Sequence, residues 1–332
     1  MSPRNVVLVT GGAGYIGSHA VLALKAAGVG VVVLDDLSTG RRAAVPDGVP
    51  FVQGSAGDAE LVADTIARHG VDAVMHFAGS IVVPESVEKP LAYYRNNTVN
   101  SHALIETAVR SGVERFVFSS TAAVYGMPDT LPIAEDSPAR PINPYGASKL
   151  MTETMLRDTG AAHGLRYGIL RYFNVAGADP EGRSGQCGKA ATHLIKIAAQ
   201  VVTGQRPDMT IHGDDYDTPD GTCVRDYIHV SDLADAHVRL IQHLAGGGDS
   251  VTLNCGYGRG YSVREVLAAV ERATGRPLPV HVGPRRAGDP PALVAGADRI
   301  RATLGWRPRH EDLDLIVRSA LAWERKVADG AV

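Results

Sequence analysis

The segment Val6-Val7-Leu8-Val9-Thr10-Gly11-Gly12-Ala13-Gly14-Tyr15-Ile16-Gly17 constrains the fold more than any other in the chain. A short apolar run ends in a polar residue, and glycines then recur at every third position, Gly11, Gly14 and Gly17. The run reads as a buried parallel strand. The glycines let the backbone turn sharply and come close to a ligand, and the following residues start a helix. A helix start presents free N–H groups and the positive end of the helix dipole, which suits a pyrophosphate. The spacing G-x-x-G-x-x-G is a variant of the dinucleotide fingerprint. Alone it is a weak signal, since glycine-rich turns are common.

The next residues strengthen it. Residues 15–27 read as a helix with Ile16, Ala20 and Leu24 on its buried face, ended by Gly28. Residues 29–34 read as a second buried strand, which stops at Asp35-Asp36. Asp35 follows the last glycine at close to the ~20-residue spacing expected of the acid that takes the adenosine ribose hydroxyls. A carboxylate there accepts two hydroxyl hydrogen bonds and repels a 2′-phosphate, so NAD is expected rather than NADP. An acid in a strand-end loop is ordinary in any protein. The combination of strand, glycines and spacing is not.

Strand candidates continue at 50–53, 73–77, 115–119 and 167–170, with helical stretches at 59–69, 91–111 and 144–160. This alternation predicts an α/β fold with a doubly wound parallel sheet. Ligands of such sheets lie at the carboxyl ends of the strands. Phe77-Ala78-Gly79, Ser119-Ser120-Thr121 and Arg171-Tyr172-Phe173-Asn174 are therefore expected to meet in one crevice. The second half is less regular, with helices expected at 190–203, 230–244, 262–274 and 313–327. Ser262 with Glu265 makes a capping box. The loops 179–189, 213–222 and 283–291 are rich in Gly, Asp and Pro. No repeat or low-complexity linker separates the halves. The expected organisation is an NAD-binding Rossmann domain over 1–176 and a smaller α/β substrate-binding lobe over 177–332, some segments of which return to the first domain.

At 332 residues the chain is long for one domain. A hydrophobic fraction of 45% and a net charge of −3 describe an ordinary globular protein, without the basic excess of a nucleic-acid binder. No apolar run approaches the ~18 residues of a membrane helix, and residues 6–9 are too few for a signal peptide. Cys187, Cys223 and Cys255 form no C-x-x-C pair. No metal site or disulfide framework is expected from them, and a reduced, cytoplasmic setting fits.

Asn143-Pro144-Tyr145-Gly146-Ala147-Ser148-Lys149 carries the candidate chemistry. Asn143 is a good N-cap and Pro144 a good first helical residue, which sets Tyr145 and Lys149 one turn apart on one helix face. An ammonium near a phenol favours the phenolate and lowers its pKa from ~10, and a bound nicotinamide cation would lower it further. The phenol could then act as a general base near neutral pH. Y-x-x-x-K alone is structural in most proteins; behind a dinucleotide-binding half the odds reverse. Thr121, after the strand at 115–119, could bond the reacting substrate oxygen beside Tyr145. A threonine that merely closes a strand end is an equally ordinary reading of that residue.

Seven stretches span nearly the whole chain: residues 10–19, His76-Phe77-Ala78-Gly79 with Glu85-Ser86, Tyr93-Tyr94-Arg95-Asn96-Asn97, Val124-Tyr125-Gly126, residues 144–149, residues 171–174, and residues 221–230. In them the chain resembles the extended short-chain dehydrogenase/reductases, and within these the UDP-glucose 4-epimerase family. The first and fifth stretches mark only extended dehydrogenases. Residues 221–230, with Asp214-Asp215-Tyr216 upstream, are closer to the epimerases. The resemblance implies a tightly bound NAD and inversion of a UDP-sugar at C4 through a 4-keto intermediate, with Tyr145 as general base, Lys149 tuning it and Thr121 assisting. It places NAD against Gly11, Gly14, Tyr15, Ile16 and Gly17, and against Asp35, Asp36, Ser38, Thr39 and Gly40. Further NAD contacts are implied at Ser55, Ala56, Phe77, Ala78, Gly79, Asn96, Tyr145, Lys149, Tyr172 and Phe173. It places the UDP-sugar against Thr121, Tyr145, Phe173, Asn174, His193, Leu194, Ile211, Gly213, Arg225, Arg286, Asp289 and Leu293. The fork of an arginine matches phosphate oxygens. A homodimer is implied too, with the helices at 91–111 and 144–160 pairing with their copies.

Some positions depart from the family pattern. Ser55 stands where members often carry an acid that meets the adenine, with Asp58 three residues later, and Ile81 stands where some carry a lysine. Both bear on cofactor affinity. Leu293 replaces a bulky tyrosine that in some members gates the sugar's C2 substituent, so N-acetylated sugars are expected to enter. A sugar-nucleotide 4,6-dehydratase shares the fold, but carries Asp-Glu directly after the active-site Thr. Here those positions are Ala122 and Ala123, which transfer no proton. A UDP-N-acetylglucosamine or UDP-glucuronate 4-epimerase stays open. An NAD-binding sensor without turnover is opposed by the set Thr121, Tyr145 and Lys149.

Overall fold

The computed structural model describes residues 6–188, 192–286 and 288–332. In chain order the first half holds β1 (Val6–Thr10), α1 (Tyr15–Ala26), β2 (Gly30–Asp35), β3 (Phe51–Gln53), α2 (Ala59–His69) and β4 (Ala73–His76). It continues with α3 (Val83–Glu88), α4 (Pro90–Tyr93), α5 (Asn100–Arg110), β5 (Arg115–Ser119), α6 (Pro144–His163) and β6 (Arg166–Tyr172). The second half holds β7 (Asn174–Ala176), α7 (Leu194–Val202), β8 (Met209–His212), β9 (Val224–His229), α8 (Val230–Ala245) and β10 (Val251–Cys255). It ends with β11 (Gly260–Ser262), α9 (Val263–Thr274), β12 (Val280–Gly283), β13 (Ala292–Leu293), α10 (Asp298–Leu304) and α11 (Leu313–Ala328).

Seven strands form one parallel sheet in the order β10-β6-β5-β4-β1-β2-β3. Side chains alternate across it, as a strand requires. Val7, Val9, Val31, Val33 and Met75 face one core with Ala20 and Leu24 of α1 and Leu233 and Leu240 of α8. Leu8, Val32, Leu34, Val74 and Phe116 face the other, with Val62 and Ile66 of α2, Leu104 of α5 and Leu156 of α6. Both faces are covered, which is why these strands are continuous apolar runs. In the smaller lobe β9 pairs with β7, β11 and β13, and β8 pairs with β12. None of the described helices is long and apolar enough to cross a membrane.

Local signals set the helix ends. Asn143 Oδ1 accepts from Gly146 N at 2.9 Å and opens α6; Gly164, with φ 71°, closes it. The Ser262–Glu265 capping box is present at α9. Beyond the short strands β7–β9 and β11–β13, for which the sequence offered no expectation, two elements differ from it. The helix expected at 91–111 is broken into α4, a π-helical stretch Tyr94–Val99, and α5. Strand β10, with Asn254 buried in it, has no alternating pattern, and joins the sheet only through its pairing with β6. From the second half, α8 shares a core with α1, and β10 pairs with β6 in the seven-stranded sheet. The expected start of the 190–203 helix lies partly outside the described residues; the helix runs from Leu194.

The core buries neutral histidines. Burial lowers His76 to about 3, helped by the charge of Lys149, and lowers His237 to about 4. The unfolded chain, with histidines near ~6.5, therefore takes up protons first as pH falls. This contribution to stability is whole above about pH 6.5 and is lost as pH falls toward about 4. The thermal midpoint is expected to drop between about pH 7 and about pH 4.5, and by less in His237→Phe. Equal drops in the two proteins would remove His237 from the acid-sensitive set.

Candidate active site

α6 carries a ladder of three buried polar side chains, Tyr145, Lys149 and Glu153, one turn apart. The Lys149 ammonium donates to Ser119 O at 3.0 Å and lies 4.7 Å from the Phe118 ring centroid. Burial lowers Lys149 to about 8, and the Glu153 carboxylate opposes the fall. Of its three donors, two are free of protein partners among the described residues and point to hydroxyl acceptors such as a ribose. Thr121, two residues beyond the end of β5, stands beside Tyr145 with its hydroxyl near the phenol.

The phenol departs from the sequence expectation. Burial raises the Tyr145 pKa; Tyr172 and Tyr93 nearby add to the rise, and only the Thr121 hydrogen bond opposes it. Lys149 is not among the groups that bring it down. The chain by itself thus holds Tyr145 protonated. A base there needs further positive charge in the crevice.

The π-helical stretch turns two asparagines toward this site, a use often made of such turns. Asn97 is buried; its Oδ1 accepts from Ser80 N at 2.7 Å, and its Nδ2 donates to Ser80 O at 2.9 Å and Ser148 Oγ at 3.1 Å. Asn96 Nδ2 donates to Ser80 Oγ at 2.9 Å. Together they fix the loop after β4, whose Gly79 lies so close to Asn97 that an added Cβ would be 3.1 Å from its Oδ1. His76 ties the same loop to the glycine turn, with Nδ1 2.6 Å from Thr10 Oγ1 and Nε2 2.9 Å from Ser101 Oγ.

The residues present fit a dinucleotide. Gly11 has φ 71°, and a Cβ there would lie 2.5 Å from Ala78 N; a Cβ on Gly17 would run into Gly11 O. No side chain caps the first turn of α1, so its N–H groups are left for an anion. Asp35 Oδ2 accepts from Ala13 N at 2.9 Å and Oδ1 from Leu37 N at 2.8 Å, which fixes the carboxylate and leaves lone pairs for hydroxyls. Gly40 lies against it: a Cβ there would be 2.9 Å from Asp35 Oδ1. Asp36 is exposed and spends Oδ1 on Ser38 N and Oγ; Thr39 is exposed too. The Tyr15 hydroxyl donates to Gly177 O at 2.6 Å, which ties the start of α1 to the chain just after β7. Ser55 caps Gly57 N and Asp58 caps α2, so Asp58 does not replace the missing acid. Ile81 is 48% exposed.

In the smaller lobe, Asn174, His193 and Leu194 line one cavity with Tyr227. His193 starts α7 with no side-chain cap, and its Nδ1 is 2.9 Å from Gln186 Nε2. Arg225 pairs with Asp289, and Leu293 lies opposite Arg225 in the β13–β9 register, packed with Phe173 and Ala122. Gly213, with φ 83°, lets Arg285 and Tyr216 close over it; Ile211 precedes it on β8. Arg286 lies near His212, and its neighbour Ala287 is outside the described residues.

Sequence reasoning passed over Glu153, and gave no role of their own to Arg171, Asn97 and His76, which stand inside stretches it singled out. The first continued the i, i+4 spacing of Tyr145 and Lys149 and was visible in principle. The others are recruited by tertiary contact.

Residues 7–256 match the model of the NAD dependent epimerase/dehydratase family. The chain is 65% identical over 326 residues to the UDP-glucose 4-epimerase of Azospirillum brasilense, covering 98% of this chain and 93% of that protein. It is similar to the crystal structure of UDP-glucose 4-epimerase from Brucella ovis in complex with NAD, with a TM-score of 0.93 at 46% identity, covering 96% of this chain and 98% of that one. It is similar also to that from Bifidobacterium longum in complex with NAD+ and UDP, with a TM-score of 0.91 at 40% identity, covering 97% and 98%.

Proposed function

The chain belongs to the NAD dependent epimerase/dehydratase family, and from that membership we propose that it interconverts UDP-glucose and UDP-galactose by inverting C4. The observation that carries this reading is Tyr145, Lys149 and Thr121 gathered at the end of β5, beside a glycine cradle that fits NAD. Bound NAD supplies the acceptor and donor of the C4 hydride, and its positive charge the field that the protonated phenol needs.

Tyr145 Oη takes the proton of the C4 hydroxyl and returns it when the opposite configuration forms. Thr121 holds the same oxygen by its hydroxyl. Lys149 directs its free donors to the ribose and keeps a positive charge next to the site. Arg225 and Arg286 hold the diphosphate while the sugar stays free to turn. For Arg225 this means exchanging its Asp289 partner for phosphate oxygens. Ala122 and Ala123, in the turn after Thr121, offer no group for water loss, which disfavours a dehydratase.

The test is incubation of the purified protein with UDP-galactose, without added NAD, and identification of the product. UDP-glucose is expected; no conversion, with nucleotide bound, would refute the reading. With Leu293 at the sugar end rather than an aromatic ring, UDP-N-acetylgalactosamine is expected to turn over as well, and Leu293→Tyr to lose that second substrate first.

A second copy of the chain is the partner we propose for the α3–α6 face. Val87, Leu91 and Val99 there are 63%, 79% and 58% exposed, with Met151 of α6 beside them. Large apolar side chains this exposed, on neighbouring elements, favour a partner. Light scattering is expected to give twice the chain mass, and Leu91→Glu to give a monomer. The three unpaired cysteines fit a cytoplasmic setting.

A further inference from the structure

Glu153 is fully buried, where a carboxylate is costly unless paired. Arg171 of β6 grips both its oxygens, with Nε at 3.0 and 3.2 Å and Nη2 at 2.6 Å. Arg157 reaches Oε2 at 3.3 Å from the next turn of α6. Ser120 donates its hydroxyl to Oε1 at 2.6 Å. Arg171 Nη1 also donates to Tyr125 Oη at 3.0 Å and to Glu135 O at 3.2 Å, which leaves the pair one arrangement.

The Ser120 bond separates two roles for this carboxylate. A pair that only braced the fold would need Arg171 and not Ser120. Ser120 lies between Ser119, whose carbonyl takes the Lys149 ammonium at 3.0 Å, and Thr121, whose hydroxyl lies beside the Tyr145 phenol. Its own N–H keeps the last sheet bond, to Leu170 O at 2.8 Å, before the backbone turns at Thr121.

Resting on the reading that Tyr145, Lys149 and Thr121 serve the reaction, we propose that Glu153 is a positioning residue: its bond to Ser120 fixes the end of β5, and with it both groups that flank the site. The helix that presents the phenol thereby also anchors the strand that presents its partners. Small displacements there weigh heavily, because proton transfer depends on sub-ångström placement.

The test is a double-mutant cycle in kcat on the holoenzyme with UDP-galactose, with Tyr145→Phe run alongside. Ser120→Ala leaves the ion pair whole and is expected to lower kcat about tenfold, and Glu153→Gln about a hundredfold, with KM within about twofold in both. Glu153→Gln replaces the charged acceptor of the Ser120 hydroxyl with a neutral amide that Arg171 no longer holds in place, so Ser120→Ala is expected to add little in that background, and the double variant to match Glu153→Gln rather than fall about a thousandfold. If Glu153→Gln does not fold, Glu153→Asp, which keeps a charge for Arg171 on a shorter stem, takes its place in the cycle. Multiplying losses, or normal kcat in Ser120→Ala, overturn the proposal. A brace for the fold alone would move the melting temperature without coupling in kcat. Near-normal kcat in Tyr145→Phe overturns the underlying reading, and this proposal with it; loss in Tyr145→Phe with multiplying losses in the cycle overturns this proposal only.

Discussion

Tyr145→Phe is expected to lower kcat by about three orders of magnitude, within the range that one positioned proton-transfer group supplies. The ring that fills the buried space remains, so the packing of α6 against the end of β5 is kept. What goes is one hydroxyl, the one beside Thr121. A buried phenol is held protonated here, so its removal costs the fold no charge. The melting temperature is therefore expected to stay close to that of the parent, and the nucleotide released on denaturation to stay at parent stoichiometry. Loss of turnover with fold and cofactor intact separates a chemical role from a structural one. Retention of more than about a tenth of kcat would place the base on another group.

Gly17→Ala is expected to strip the protein of resident nucleotide. The new Cβ would run into the Gly11 carbonyl oxygen and lie 2.9 Å from both Gly11 C and Gly12 Cα. All three are backbone atoms of the turn and cannot swing aside as a side-chain end could. α1 must then move away from the end of β1. Overpacking of this kind costs about 1–3 kcal/mol of stability. The larger effect is on binding, because the displaced first turn no longer aims its N–H groups at one point. Purified Gly17→Ala is expected to show no nucleotide absorbance and no turnover without added NAD. A variant that retains stoichiometric nucleotide would show that close helix–strand approach is not what holds the cofactor.

Legibility in the sequence followed the range of the forces involved. The parallel sheet was readable from β1 to β6, because both faces are buried and each strand is an apolar run with a turn signal at its end. Helix α2 and the caps of α6 and α9 were readable because a cap is a contact between neighbours in the chain. The 91–111 helix was not readable as built. Its π-helical stretch exists because Asn97 is drawn to Ser80 and Ser148, residues remote in the chain, and no local pattern announces that. Strand β10 was missed for the same reason: its edge pairing with β6 is supplied by the fold, and its polar Asn254 is bonded by Tyr125 and Ile133.

The sequence by itself determined the nucleotide end of this protein: three glycines at fixed spacing, an acid at the next strand end, and a Tyr and Lys one helical turn apart. Those are short-range geometries, set by steric freedom at glycine and by the pitch of a helix. Only the tertiary structure decided the charge state of the site. Spacing alone implied a phenol softened by its lysine. The fold instead buries both groups and turns the ammonium to the Ser119 carbonyl. Burial holds Tyr145 protonated, and Tyr172 and Tyr93 nearby add to that. Desolvation depends on every element packed around a group, and no stretch of sequence contains that information.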